Sequence, residues 1–163
     1  METPEPRWLT SEERAAWMAL MSLFMRLPAA LDTQLQRDAG ISHFEYGILA
    51  GLSESPGRTL RMSTLAVLAE GSLARLSQAV GRLEKRGWVR RFPDPTDGRY
   101  TLAELTETGW EKVVETAPGH VEHVRTLVFD PLTKGQVRHL HEIGRRIMHA
   151  VDPADPCGNL EKR

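Results

Sequence analysis

One stretch, from Ser72 to Gly109, constrains this chain more than any other. It reads in order as a helix cap, a helix with a basic outer face, a glycine stop and a basic β-hairpin. Leu76, Val80 and Leu83 recur at spacings of four and three and form a single apolar stripe. Arg75, Gln78, Arg82, Lys85 and Arg86 fall on the opposite side, with Ala74, Ser77 and Gly81 among them. Ser72 is an N-cap residue, and Gly87 is the left-handed residue expected just past the helix end. Val89–Pro93 and Tyr100–Leu105 follow as two short strands. Asp94-Pro-Thr-Asp-Gly-Arg between them carries an Asp-Gly pair suited to a tight hairpin.

The rest of the chain reads as helices around that unit. Thr10 and Glu13 have the spacing of a capping box, and so do Ser42 and Glu45. The first helix keeps apolar positions at helical spacing from Trp17 through Met21, Phe24, Leu27 and Leu31 to Leu35, with Pro28 expected to kink or interrupt it. A helix this long is hard to bury within one subunit, so a partner chain is its expected cover. Phe44, Ile48, Leu49 and Leu52 mark a second helix, Arg58–Arg61 one edge strand, and Ser63 the cap of a short helix to about Ala69. Thr106 and Gly109 open a long helix that Pro118-Gly119 is expected to bend or break. Thr133 caps a last one reaching about Val151. The tail from Pro153 to Arg163 is expected to be mobile.

With 163 residues, 40% of them hydrophobic and 26% charged, the composition is that of an ordinary globular protein. No apolar run approaches the roughly 20 residues of a membrane span, and the first residues lack the order of a secretion signal. A cytoplasmic protein without a membrane partner is expected. The net charge of −1 is unevenly spread: residues 58–100 hold nine cations and four anions, a net of +5, which leaves −6 for the rest. Such segregation is the footprint of a nucleic-acid reader, with an unpartnered solvated face as the competing reading.

The order helix, turn, helix, two-stranded wing is that of a winged helix-turn-helix. Its second helix enters the major groove of double-stranded DNA. Arg75, Ser77 and Gln78 are the candidate base readers, beside Ser72 and Ala74 at the helix start. Arginine matches the two acceptors of guanine, and glutamine the acceptor–donor pair of adenine. Arg82, Lys85 and Arg86 lie further along and suit phosphates. Arg99 at the wing tip suits a narrow minor groove, and Asp97 suits a partner that orients Arg99 or closes the turn.

Leu83-Glu-Lys-Arg-Gly-Trp-Val-Arg-Arg, and Asp94-Pro-Thr-Asp-Gly-Arg-Tyr-Thr-Leu-Ala-Glu-Leu-Thr-Glu-Thr-Gly after it, resemble the MarR family of bacterial transcription regulators. The resemblance runs from about Leu9 to Val151. Glu70-Gly71 departs from the leucine–glycine pair more usual there, and Gly81 from a common acidic residue. The resemblance implies a mainly α fold with a small β wing: a winged helix-turn-helix over residues 41–109, an amino-terminal dimerisation helix over 9–40 and carboxy-terminal dimerisation helices over 110–152. It implies a homodimer on a near-palindromic operator, a repressor released by a small, often phenolic or aromatic, effector.

Trp17, Met21 and His43 are the candidate effector contacts, although their spacing equally suits core packing. The histidines, His120, His123, His139, His141 and His149 among them, read as solvated side chains rather than metal ligands, and no metal or other cofactor is expected. The single cysteine, Cys157, lies in the tail and cannot form an intrachain disulfide. No Gly-x-Ser-x-Gly elbow and no phosphate-binding loop is present, so an enzyme is not expected. The alternative function is a winged-helix interaction module whose basic face docks an acidic protein.

Overall fold

A computed structural model describes residues 5–153 of the chain. The expectations for Cys157 and for a mobile tail fall, Pro153 apart, on residues outside those described. The chain divides into two compact units between His120 and Val121.

In the first unit, α1 spans Ser11–Ala39. Its capping box forms as the Thr10/Glu13 spacing predicts: the Glu13 amide donates to Thr10 Oγ1 and the Thr10 amide to Glu13 Oε2. Of the two outcomes expected at Pro28, a kink or an interruption, the interruption does not occur. Pro28 and Phe24, four residues back, are both exposed, so water can reach the carbonyl left without an N–H. The second helix, α2 (His43–Ser53), starts at the Ser42/Glu45 box. A 3-10 turn, Pro56–Arg58, leads into strand β1 (Thr59–Arg61) and helix α3 (Met62–Leu68). The cap of α3 is Arg61, with no side-chain bond, and not Ser63, which lies inside the helix.

Helix α4 covers Leu73–Lys85, and strands β2 (Val89–Pro93) and β3 (Thr101–Leu105) follow it. The three strands form an antiparallel sheet in the order β1-β3-β2, in which Ala103 lies opposite both Leu60 and Arg91. The core lies between this sheet and the helices. Ile48, Leu49 and Leu52 of α2, Leu76, Val80 and Leu83 of α4, and Ala103 are all fully buried. The alternation of a leucine stripe with a charged face on α4 therefore folds as the sequence predicts, and Gly87 follows with φ +75°.

Helix α5 (Glu107–Val124) begins in this unit. The Gly109 amide donates to Thr106 Oγ1, and that hydroxyl donates to the Gly87 carbonyl, so one threonine joins the start of α5 to the glycine that follows α4. A Cβ on Gly109 would lie 2.1 Å from the Trp88 carbonyl oxygen, which leaves room only for glycine. Pro118 sits inside α5 without breaking it. Like Pro28 it is exposed, as is Val114 one turn earlier. His120 also departs from the solvated reading. It is buried, with Nδ1 3.1 Å from Gln34 Oε1 and its ring 4.6 Å from that of Tyr46.

The second unit holds a π-helical segment, Arg125–Phe129, in which the Asp130 amide donates to the Arg125 carbonyl. Helix α6 (Lys134–Val151) follows, opened by a Thr133/Gln136 capping box. Thr133 acts as predicted; the π segment has no sequence signal. The architecture is mainly α with a small three-stranded wing sheet, a winged helix-turn-helix. No helix among the described residues is long and apolar enough to cross a membrane.

Candidate nucleic-acid interface

The helix-turn-helix is α3, the turn and α4. In the turn Glu70 adopts a left-handed φ of +49°. At Gly71 a Cβ would come within 2.8 Å of the far edge of the Phe44 ring, so any larger residue would require that ring to shift. Ser72 then caps α4, its hydroxyl accepting the Arg75 amide at 3.2 Å. With the leucine stripe pinned to the core, Leu73, Ala74, Arg75, Gln78, Arg82 and Lys85 are exposed along one side of α4.

Their partners separate these residues. The Arg75 guanidinium lies 4.1 Å from the centre of the Phe44 ring, a cation–π contact that lays it along the start of α2. Arg82 donates through Nε to Glu45 Oε1 at 2.8 Å. Lys85 is exposed and has no hydrogen-bond or ion-pair partner among the described residues. Arg86 donates to the Gly40 carbonyl at 2.9 Å and lies 5.0 Å from the Trp88 ring, so it ties α4 to the end of α1. Ser77 is half-buried and accepts from Arg91 Nη1 at 3.1 Å. Arg91 also grips Glu84 through Nε, Nη2 and its own amide, fixing strand β2 to α4.

The wing loop is not the tight two-residue turn that Asp97-Gly98 suggests. It spans Asp94 to Tyr100 as two successive turns, with Asp97 N bonded to the Asp94 carbonyl and Tyr100 N to the Asp97 carbonyl. Gly98 does not take the positive φ that a tight Asp-Gly turn requires. Buried Asp94 anchors this loop. It accepts from the Thr96 hydroxyl and amide, and from the Arg61 guanidinium at 2.8 Å. The Thr96 bonds and then Arg61 hold its carboxyl down at about 2. At the tip Arg99 is 84% exposed, and Asp97 receives its Nε and Nη2 at 2.9 and 2.7 Å. Asp97 thus both orients Arg99 and closes the turn, the two roles the sequence suggests for it.

Electrostatically the face is weaker than the segment count suggests. Six of its nine cations meet carboxylates: Arg58 Glu107, Arg61 Asp94, Arg82 Glu45, Arg90 Glu104, Arg91 Glu84 and Arg99 Asp97. Glu45, Glu104 and Glu107 lie outside residues 58–100, so including them lowers the local net charge from +5 to +2. Burial alone would raise the Glu45 carboxyl, but the Ser42 amide and Arg82 outweigh it and hold it below the ordinary range. The Glu84 carboxyl is held down chiefly by its Arg91 bonds.

Beside this face, within the first unit, an open groove of about 850 Å³ runs between α1, the start of α2 and α4. Its walls include Pro28, His43, Phe44, Leu68, Arg75 and Arg82. Of the three candidate effector contacts only His43 lines it. Trp17 and Met21 lie nearer the start of α1, Trp17 being 49% exposed. The roles of Glu45, Glu84 and Arg91 were missed by sequence reasoning. Their partners are 37 and 7 positions away, at no spacing that marks a pair.

Known proteins share this fold. The model of the MarR family matches residues 39–99. The crystal structure of Sco3205, a MarR family transcriptional regulator from Streptomyces coelicolor in complex with DNA, is 49% identical with a TM-score of 0.88; the match covers 93% of this chain and 95% of that one. AbsC, a MarR family transcriptional regulator from the same organism, is 36% identical with a TM-score of 0.84, over 90% of this chain and 98% of its own. The uncharacterised HTH-type transcriptional regulator YdcH of Bacillus subtilis (strain 168) is 29% identical over 111 residues, 67% of this chain and 72% of that protein.

Proposed function

Because the chain belongs to the MarR family of transcriptional regulators, we propose that it is a cytoplasmic, sequence-specific DNA-binding regulator and not an enzyme. It acts as a repressor, two copies holding a near-palindromic operator. The observation that carries this reading is the exposed side of α4: Arg75, Gln78, Arg82 and Lys85 stand clear of the core beside a wing tip that holds Arg99 84% exposed. An α-helix with its apolar stripe pinned and its basic side exposed fits a major groove, and its amino-terminal half meets base edges. Arg75 and Gln78, with Ser72 and Ala74, are the readers. Ser77 serves through Arg91, and Arg82 and Lys85 hold phosphates.

The homodimer is supported by apolar side chains that each unit leaves uncovered. In the first, Trp17, Met18, Phe24 and Met25 of α1 are 49–79% exposed. In the second, Leu140, Ile143, Ile147 and Val151 form a helical stripe on α6, of which no residue is buried. A small-molecule response is supported by the groove. Phe44 and Leu68 offer apolar contact, His43 a polar one, and Arg75 and Arg82 bind a carboxylate or phenolate at the expense of DNA.

Two substitutions test the DNA reading against the acidic-protein alternative. Arg99→Ala is expected to weaken binding to every duplex and to flatten the salt dependence by about one unit. Arg75→Ala is expected to reduce preference for the cognate site over random DNA, by about 1–3 kcal/mol. Equal losses on both duplexes would make Arg75 a phosphate contact. Unchanged affinity and slope in Arg99→Ala, with retention of an acidic polypeptide, would favour the alternative.

A further inference from the structure

Among the cations of the α4 face, Arg82 differs in the partner that holds it. Asp97, which receives Arg99, sits on a loop, and Glu104 sits on a wing strand. Glu45 is 7% exposed and fixed at the start of α2, where its second oxygen accepts the Ser42 amide at 3.0 Å. It cannot follow Arg82 outward. The Nε edge of Arg82 is therefore turned towards the protein, and Nη1 and Nη2 have no protein partner among the described residues, on a side chain that is 57% exposed. The guanidinium is a rigid planar fork, so fixing one edge aims the other.

We propose that Glu45 is a positioning residue for DNA binding, which holds Arg82 by its Nε edge and presents the two remaining nitrogens as a preset bidentate clamp for a backbone phosphate. This rests on the DNA-binding reading above. The long arginine side chain loses its freedom on folding and not on binding, so the phosphate contact starts from an ordered group. The carboxylate adds a negative charge close to DNA. Simple electrostatics therefore predicts that removing it tightens binding, whereas positioning predicts the opposite.

Glu45→Gln separates the two, since glutamine at this position keeps the capping box and the volume. Binding of the full chain to its own promoter duplex is measured across a salt titration, with thermal melting by circular dichroism as the folding control. Glu45→Gln is expected to bind about tenfold more weakly, the scale of one charge-assisted hydrogen bond. Arg82→Lys, at an exposed site, keeps the charge but lacks the fork, and is expected to lose a similar factor with the salt slope kept. Arg82→Ala is expected to lose affinity and about one unit of slope. The double variant Glu45→Gln/Arg82→Ala should bind no more weakly than Arg82→Ala alone. Equal or tighter binding by Glu45→Gln or by Arg82→Lys, or a loss from Glu45→Gln that persists in full without Arg82, would overturn the positioning role while wild-type binding stands. A wild-type chain that ignores duplex DNA at low salt would instead overturn the DNA-binding reading, and this role with it.

Discussion

Gly109 and Gly81 show how differently one residue type can be constrained. A methyl group on Gly109 would meet the Trp88 carbonyl oxygen at 2.1 Å, where α5 passes the end of the reading segment. On Gly81, inside α4, the nearest atom is Arg91 Nη2 at 3.8 Å, an ordinary contact. Gly109→Ala is therefore expected to destabilise the fold by about 3 kcal/mol or more, as overpacked sites do. Gly81→Ala is expected to gain about 0.5–1 kcal/mol by removing a flexible residue from a helix. Urea midpoints of the two variants check both signs. At this scale the sequence is legible where a rule is local. Thr10, Ser42, Ser72 and Thr133 cap their helices because the bond partner is three residues away. It is illegible where the partner is distant: nothing near His120 announces Gln34, and nothing near Arg82 announces Glu45.

The elements join through polar ties as much as through the core. Glu84 of α4 takes three bonds from Arg91 of β2, and Thr106 links the start of α5 to Gly87, so helix, wing and following helix form one piece. The wing loop depends on Asp94, and this sets a pH dependence. Its carboxyl titrates at about 2 when folded, against 3.8 ordinarily, so its contribution is complete above the ordinary value and disappears as pH falls towards about 2. The difference in melting temperature between wild type and Asp94→Asn is expected to be constant from pH 7 to about 5 and to shrink between about pH 4 and 2. A difference that is flat throughout would remove Asp94 as the anchor. The element order was readable from caps, stripe and glycine stop, and β1 from its short extended run. Pro28 and Pro118 lie inside α1 and α5 without ending either helix. Pro28 and Pro118 both sit where water can reach the carbonyl they leave unpaired.

At the scale of the whole molecule, each unit leaves apolar side chains exposed among the described residues. Ile143 is 54% exposed on α6, in line with Leu140 and Ile147. Ile143→Glu is expected to shift the chain towards monomer in sedimentation and to weaken operator binding with it, while leaving helix content unchanged. The stripe itself was evident from spacing, but burial of its owner was not, because period alone does not say which chain supplies the cover. Charge shows the same limit: +5 along residues 58–100 becomes +2 once the carboxylates that fold against them are included. Attraction to DNA is therefore expected to depend on a few exposed groups more than on a broad field, with a modest salt slope. The most direct test is a titration of the chain's own promoter duplex with purified protein, followed by fluorescence anisotropy at several salt concentrations beside a scrambled duplex. Two chains per duplex, preference for the promoter and affinity falling linearly in logarithm with salt are expected. One chain per duplex, or the same weak binding to both sequences at low salt, would contradict the account.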